Sequence, residues 1–179
     1  MVITRHGEGC FKMETRGLSI VVDAPDGRLK PDIALKTSVS APPPYGGETG
    51  REIIGPGEYD ISGIEIRGYP FGKNNSAGHL MTAFVMKAED VSLLFLGNPG
   101  REIGFTLEAE LGAVDIIFAP PGSAKFVKQL SPKIVVSAYF PSAAEAGKEF
   151  EQKISDEERL TIKKKDLPAA GTSYIHIRA

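Results

Sequence analysis

Alternating apolar and polar residues, interrupted by glycine turns, predict a β-meander in the first part of the chain. The strands lie at residues 2–5, 10–15 and 18–22, with glycine-containing turns at 6–9 and 16–17. Glycine suits such turns because it adopts backbone angles that other residues resist. A polar loop follows at 24–32, and the apolar run at 33–36 (IALK) predicts the next buried strand.

Three consecutive prolines, at positions 42, 43 and 44, follow this strand. Proline lacks the N–H of a ladder hydrogen bond and fixes φ at about −65°. We therefore expect the strand to end near Ser38 and to continue as a stiff, extended loop. That loop contains no His, Cys, Asp or Glu before Glu48.

Further strands and then helices are predicted downstream. Strands at 52–54, 59–61 and 64–66 come first, with Ser62-Gly63 as a hairpin signal, and a second hairpin joins 79–87 to 91–96. Helices are expected at 105–111, at 124–130 with Ser123 as N-cap, and at 143–153 with Phe150 and Ile154 toward the core. Strands at 114–119, 134–138, 160–163 and 174–177 alternate with these helices. The order predicts two sheets packed together, with helices on their outer faces.

Composition narrows the class of protein. The 179 residues suit a single domain, 1–179, and 41% hydrophobic with 25% charged residues is ordinary for a soluble globular protein. A net charge of −2 gives no electrostatic case for nucleic acid or an anionic membrane, and the Lys163–Lys165 run is typical of a solvated strand end. One cysteine excludes an internal disulfide, and neither a signal-peptide core nor a spanning apolar run is present. We expect a cytoplasmic protein.

Six segments, in order along the chain, resemble the metallo-β-lactamase superfamily. They are HGEGCFKMETRGLSIVVDAP, IIGPGEYDISGIEIRGYP, VSLLFLGNPG, VDIIFAPPG, SPKIVVSAYF and LTIKKKDLP. The likeness is strongest to small bacterial zinc-dependent hydrolases of this fold, akin to the UlaG-like lactonase group, and it spans nearly the whole chain. It implies an α+β fold, the αββα four-layer sandwich of two mainly antiparallel β-sheets with outer helices, and a metal site at one edge between the two sheets.

The resemblance also implies where the family's metal ligands stand, and this sequence differs there. Family enzymes bind zinc or related ions through an HxHxDH loop after the strand that follows the meander. Ser38 and Ser40 stand at the first two histidines of that loop, and Pro42 and Pro43 stand near its Asp-His pair. Zinc takes about four nitrogen, oxygen or sulfur ligands, and neutral serine and proline are not among its usual ones.

The remaining family ligands are changed as well. A further histidine falls around 71–73, where this chain reads FGK; the family's Gly-Asp pair is Gly97-Asn98, and its last histidine aligns near Tyr139. Asp23 stands where the family has an aspartate that orients metal-binding histidines, although an Asp at such a place also caps loops on its own account. The resemblance thus implies a scaffold without a metal cofactor, whose remaining pocket is lined by Asp23, Ser38, Ser40, Asn98 and Tyr139.

Other residues with chemical potential have ordinary structural interpretations. His6 and Cys10 belong to a predicted turn and strand, and cysteine is among the most buried residue types. His79 and His176 each lie in a predicted strand, where an exposed or hydrogen-bonded histidine is the usual case. Serines and aspartates for a Ser-His-Asp triad exist, but no G-x-S-x-G nucleophile elbow accompanies them.

The sequence therefore predicts a non-catalytic protein of this fold, a pseudoenzyme that acts by binding or assembly, with its partner unidentified. A metal-dependent hydrolase of a lactone, ester or phosphodiester is the alternative, with a site rebuilt from Asp23, His6 or Tyr139. A third hypothesis is a structural subunit whose sheet edges form a homo-oligomer. No membrane association is expected, and nucleic acid is disfavoured because no aromatic stacking residues accompany the lysine run.

Overall fold

The computed structural model describes residues 1–40, 52–70, 79–98 and 111–179. These ranges contain fifteen strands, two α-helices and two short 3-10 turns. The strands are β1 Val2–Arg5, β2 Phe11–Thr15, β3 Leu18–Val22, β4 Ile33–Lys36, β5 Ser38–Ser40, β6 Glu52–Ile54, β7 Gly57–Ile61, β8 Ile64–Pro70, β9 His79–Ala88, β10 Val91–Phe95, β11 Ile116–Ala119, β12 Ile134–Ser137, β13 Ser155–Glu157, β14 Leu160–Thr161 and β15 Ser173–Ile177. The helices are α1 Ala124–Leu130 and α2 Ala143–Phe150, and the 3-10 turns are Gly27–Leu29 and Lys164–Asp166.

Two mixed sheets organise the described residues. The first has the order β14-β1-β2-β3-β4-β6, and the second has the order β13-β15-β12-β11-β10-β9-β8-β7. Hairpin-connected neighbours pair antiparallel, as β1, β2 and β3 do in the first sheet and β7 to β10 in the second. The other part of the second sheet is parallel and consists of β10, β11, β12, β15 and β13. Parallel neighbours need a crossover connection, and α1 supplies the one between β11 and β12.

The main core lies between the two sheets. One apolar cluster joins the inward residues of β1 to β4, such as Ile3, Met13 and Leu35, to inward residues of the second sheet, such as Phe84. Aromatic packing continues across the interface, where the ring of Phe118 lies 4.7 Å from Phe11 and 4.3 Å from Phe95. Edge-to-face and offset pairs of this kind add to the free energy of area burial.

A second apolar cluster lies on the other face of the second sheet. Phe126 of α1 and Phe150 of α2 pack there against Leu94, Ile117 and Val135. Strands β11 and β12 are buried at every residue, as expected of parallel strands covered on both faces. The predicted arrangement, two packed sheets with outer helices, is confirmed.

Two helix ends differ in detail from the predictions. Helix α2 ends at Phe150 rather than at residue 153, because Glu151 turns left-handed at φ 54° and its N–H bonds to the Gly147 carbonyl. Ser123 is the N-cap residue of α1, as predicted, but its side chain makes no capping hydrogen bond, because its hydroxyl donates to the Pro120 carbonyl at 2.5 Å. Ser142 does cap α2, accepting from the Glu145 N–H at 3.3 Å.

Strand β5 was not predicted: β4 ends at Lys36, close to Ser38 as expected, but a second strand and not a loop occupies 38–40. The chain bends after β4 and continues as β5, which pairs antiparallel with β9, Ser38 opposite Met81 and Ser40 opposite His79. Strand β9 runs for ten residues and therefore extends far enough to receive β5. At the bend, the Thr82 N–H donates to the Thr37 carbonyl at 2.8 Å. Thr37 thus joins a strand of the first sheet to a strand of the second.

A further strand was missed, and three predictions concern residues that the structure does not describe. Strand β13 was not predicted, because its three residues are polar and all exposed, which leaves no alternation to detect. The proline loop after Ser40, the FGK segment and the helix predicted at 105–111, apart from Leu111, lie outside the described residues. Within the described ranges, no helix has the length and apolar character needed to cross a bilayer.

Candidate functional site

Several strand ends meet at one edge between the two sheets. Asp23 directly follows β3, and Thr37 directly follows β4, the parallel neighbour of β3. From the second sheet, Gly97 follows β10 and Tyr139 follows β12. Carboxyl ends of neighbouring parallel strands lie side by side, so the topology gathers these residues into one pocket, here called the Asp23 pocket.

Asp23 is held by three hydrogen bonds to its carboxylate. The Thr37 N–H donates to Oδ1 at 2.8 Å, and the Thr37 hydroxyl donates to Oδ2 at 2.5 Å. The Tyr139 hydroxyl donates to the same Oδ2 at 3.0 Å. Asp23 itself has φ 51°, a left-handed conformation that Asp tolerates better than most residues, and its N–H donates to the Leu35 carbonyl.

The electrostatics of the Asp23 pocket favour protonated side chains around one carboxylate. Burial raises the pKa of Asp23, while hydrogen bonds from Thr37 and Tyr139 and the charge of Lys36 act in the opposite direction. Burial, and then the negative charge of Asp23, raises the pKa of the Tyr139 phenol. Burial also raises the pKa of Cys10 to about 11, with Asp23 adding to the effect. At neutral pH the phenol is therefore a hydrogen-bond donor and Cys10 is a thiol.

The Tyr139 ring fills the Asp23 pocket. It lies against Gly9, where an added Cβ would come within 2.1 Å of the ring atoms Cε1 and Cζ. Tyr139 has φ 63°, and its N–H donates to the Glu8 carbonyl at 2.8 Å. The space left beside the ring is about 10 Å³, roughly enough for one water molecule. Among the described residues, the ring thus leaves no space beside Asp23 for a small-molecule substrate.

The five residues proposed from sequence for the pocket lie in different places. Asp23 and Tyr139 are in contact, as described above. Ser38 and Ser40 are exposed on β5, and Asn98 is exposed directly after Gly97. Among the described residues that line the remaining space, Ser38, Ser40 and Asn98 do not occur.

Sequence reasoning missed Thr37 and Gly9. Thr37 lies 14 residues from Asp23, and no local motif connects a threonine to an aspartate at that separation. Its position directly after a buried strand, parallel to the strand that ends at Asp23, is the signal that could have indicated it. Gly9 was interpreted only as a turn residue, although the absence of its Cβ is what admits the Tyr139 ring.

The described residues at this edge do not by themselves supply the donor set of a zinc site. Within the described ranges, no three His, Cys, Asp or Glu side chains come together as a metal ion would require. Both oxygens of the Asp23 carboxylate already accept hydrogen bonds from Thr37 and Tyr139. A protonated phenol and a hydroxyl that both donate to the carboxylate are a poor start for a zinc site, which needs about four basic donors.

A second buried polar group, here called the Arg5 cluster, lies next to the pocket and consists of Arg5, Ser137 and His176. Arg5 is 8% exposed, His176 is 4% exposed and Ser137 is fully buried. Arg5 Nη1 lies 3.2 Å from His176 Nε2, and Ser137 Oγ lies 2.8 Å from His176 Nδ1. His176 is thus a buried, hydrogen-bonded strand histidine.

The other histidines occupy the surface. His6 is exposed, with Nε2 3.0 Å from the Thr4 hydroxyl, and His79 is exposed at the start of β9. Cys10 is 3% exposed, as its predicted structural role requires.

Substituting Thr37 tests the bonding of Asp23. Thr37→Val keeps the side-chain shape and the backbone donor but removes the hydroxyl, and we expect a loss of about 1–3 kcal/mol in the free energy of unfolding at pH 7. The pKa of Asp23 should rise further, because the lost hydrogen bond was lowering it. The difference in free energy of unfolding between the natural chain and Thr37→Val should therefore become smaller as the pH falls and Asp23 becomes protonated.

Urea unfolding over a pH series measures this effect, and Thr37→Ser is the matched control because it keeps the hydroxyl and loses only a methyl group. Equal losses for the valine and serine variants would contradict the role given to the hydroxyl.

A protein-family model matches most of the chain. The family model described as the β-lactamase superfamily domain matches residues 2–141. No curated protein sequence matches the chain.

Solved structures of low sequence identity share the fold. A structure from Thermotoga maritima, named as a zinc-dependent hydrolase of the metallo-β-lactamase superfamily, has a TM-score of 0.76 at 18% identity, and 98% of each chain is covered. A metallo hydrolase from Ignicoccus hospitalis has a TM-score of 0.61 at 15% identity, covering 84% of this chain and 90% of that one. An isothiocyanate hydrolase from Delia radicum gut bacteria has a TM-score of 0.63 at 11% identity, covering 91% of this chain and 100% of that one. The matched family model, which covers most of the chain, and the shared fold lead to one conclusion: the chain belongs to the β-lactamase superfamily.

Proposed function

We propose that this chain is a non-catalytic member of the superfamily, a pseudoenzyme that acts by binding or assembly. The observation that carries the proposal is the contact between Asp23 and Tyr139, at the edge where the family resemblance places the metal site. A tyrosine stands near the position of the family's last histidine, and its hydroxyl donates to the carboxylate that orients metal-binding histidines in relatives. The polar groups at this edge are thus satisfied by one another.

The chemistry of the Asp23 pocket supports this proposal. A nucleophile or general base needs a free, basic atom near a substrate, and hydrolysis in this superfamily needs an activated water. Here the phenol of Tyr139 stays protonated, Cys10 stays a thiol and the Asp23 oxygens accept from donors within the protein. Among the described residues that line the pocket, the space beside these groups is about 10 Å³, too small for a substrate.

A metal-dependent hydrolase with a rebuilt site is the second candidate. It is favoured by the names of the similar solved structures, which include a metallo hydrolase and an isothiocyanate hydrolase. Such a site would use Asp23, His6 or Tyr139 together with other residues. Its substrates would be lactones, esters or phosphodiesters, as the family resemblance implies.

The metal content of the purified, tag-free chain separates the two candidates. After incubation with zinc or manganese and removal of unbound ions, we expect metal well below one equivalent per chain, because the described residues of the pocket supply no set of basic donors. We also expect no chelator-sensitive turnover of lactone, ester or phosphodiester substrates. Elemental analysis and a hydrolase panel provide the measurements.

Two carboxylate variants locate any metal that does bind. Asp23→Asn changes the pocket, whereas Asp26→Asn changes an exposed carboxylate that caps the 3-10 turn at Gly27–Leu29. About one ion per chain, lost in Asp23→Asn but kept in Asp26→Asn and accompanied by turnover, would move the hydrolase to first place.

A further inference from the structure

The guanidinium of Arg5 is fully hydrogen-bonded without any carboxylate. Its Nε donates to the Gly7 carbonyl at 2.7 Å, and Nη2 donates to the carbonyls of Glu8 at 3.2 Å and Phe140 at 2.9 Å. Its Nη1 donates to the Ile177 carbonyl at 3.3 Å and faces His176 Nε2 at 3.2 Å. All five N–H groups of an arginine therefore have acceptors, and every acceptor is neutral.

This geometry fixes the protonation state of His176. Arginine carries no acceptor, so His176 Nε2 must accept, and the ring proton must sit on Nδ1 and be donated to the Ser137 hydroxyl at 2.8 Å. A second proton, on Nε2, would point at the Arg5 N–H and place two positive charges in buried contact. Protonation of His176 and its bond to Arg5 therefore exclude each other.

Arg5 also ties together the two segments that close the Asp23 pocket. The carbonyls that share Nη2 belong to Glu8, which precedes Gly9, and to Phe140, which follows Tyr139. The Tyr139 N–H donates to that same Glu8 carbonyl. The contact of the Tyr139 ring with Gly9 thus depends on the position of one guanidinium, which His176 helps to hold.

We propose that Arg5 and His176 form a proton-sensitive latch, which holds the Tyr139 ring in the Asp23 pocket when His176 is neutral and releases it when His176 is protonated. The opened pocket would expose Asp23 and uncover Gly9, the residue directly before Cys10. This inference does not depend on whether the chain hydrolyses a substrate, because it concerns the closure of the pocket and not its chemistry.

The charged groups around His176 give the direction of the effect. Burial first, and then the charge of Arg5 on β1, lowers the pKa of His176, while Asp156 on β13 acts in the opposite direction. On β12 the group that faces His176 is the neutral Ser137. Helix α2 packs against β15 with the apolar ring of Phe150, which contacts the ring of Tyr174. The fold therefore prefers neutral His176. Neutral His176 contributes its full stabilisation of the fold above pH 6.5, the ordinary pKa of histidine. This stabilisation is lost as the pH falls from 6.5 through the lower pKa of His176 in the folded chain.

Cys10 provides the readout. It is the one cysteine of the chain, it is 3% exposed, and it lies close enough to Tyr139 for its charge to act on the pKa of the phenol. The measurement is the rate at which Cys10 reacts with dithiodipyridine, a reagent that labels thiols in acid as well. This rate is divided by the rate for the urea-unfolded chain at the same pH. This ratio removes the intrinsic titration of the thiol.

The expected result is a normalised rate that rises by up to about tenfold for each pH unit between about 6.5 and the lowered pKa of His176 and then levels off, because opening takes up one proton only in this range. In His176→Gln the rate should stay flat, since the amide oxygen can accept from Arg5 and does not titrate in this range. In Asp23→Asn the pH dependence should persist, which separates the titration of His176 from that of Asp23.

A flat rate in the natural chain, or an unchanged pH dependence in His176→Gln, would overturn the latch. Low concentrations of urea provide a further criterion. Local opening exposes little surface, so the rate should change little with urea, whereas a rate that follows the urea dependence of whole-chain unfolding would also overturn the proposal. Circular dichroism at each pH confirms that the chain remains folded during labelling.

Discussion

Arg5→Met should lower the free energy of unfolding by about 3–5 kcal/mol, which is a large part of the stability of an ordinary domain. The methionine fills much of the aliphatic volume but donates nothing. The carbonyls of Gly7, Glu8, Phe140 and Ile177 would then lose the guanidinium as a donor at a largely buried site. Each buried acceptor left without a partner costs about 1–3 kcal/mol before relaxation and water entry reduce the sum.

Arg28→Met is the matched control for this substitution. Arg28 is exposed, and its Nε lies 3.0 Å from the Asp26 carboxylate, so its loss should change stability by about 0.5 kcal/mol or less. Arg5→Lys should fall between the two, because an ammonium has three donors rather than five and cannot reproduce the planar fork. Urea unfolding at neutral pH gives the comparison. Similar losses at positions 5 and 28 would show that the Arg5 cluster does not hold these carbonyls.

Gly9→Ala is expected to produce the second large effect. The added methyl group would overlap the Tyr139 ring, at 2.1 Å from Cε1 and 2.5 Å from the hydroxyl oxygen. The ring must then leave its place beside Asp23, which loses one of its hydrogen bonds. Overpacking typically costs about 1–3 kcal/mol, and the broken hydrogen bond adds to this figure.

A double-mutant cycle identifies the cause of that loss. In a Tyr139→Ala background, Gly9→Ala should cost little, because the ring it would strike is absent. Gly27→Ala is the control for the general effect of an added methyl group, since nothing lies within 4 Å of a Cβ at Gly27. Equal costs of Gly9→Ala with and without the Tyr139 ring would contradict the packing described for the Asp23 pocket.

Much of the fold could be predicted from sequence because local signals agree with tertiary structure there. The strands β1, β3, β4 and β6 and the helix α1 have the predicted bounds, since glycine turns, prolines and apolar runs define them locally. The bend into β5 could not be predicted in this way. It depends on pairing with β9, whose residues lie about 40 positions further along the chain.

The candidate site was less accessible to sequence reasoning. Asp23 and Tyr139 were proposed for one pocket because of the family resemblance, and the structure places them in contact. The Arg5 cluster could not be predicted, because His176 lies 171 positions from Arg5 and neither residue belongs to a local motif. Ser137 and His176 read as ordinary strand residues until the pairing of β12 with β15 brings them together.

The bend at Thr37 has a mechanical consequence for the molecule. Thr37 donates two hydrogen bonds to Asp23 at the end of β3, and its carbonyl accepts from Thr82 in β9. One residue thus transmits tension between the two layers of the sandwich, and a shear displacement of one layer over the other must stretch bonds that converge on it. The two sheets are therefore mechanically coupled at Thr37, beside Asp23.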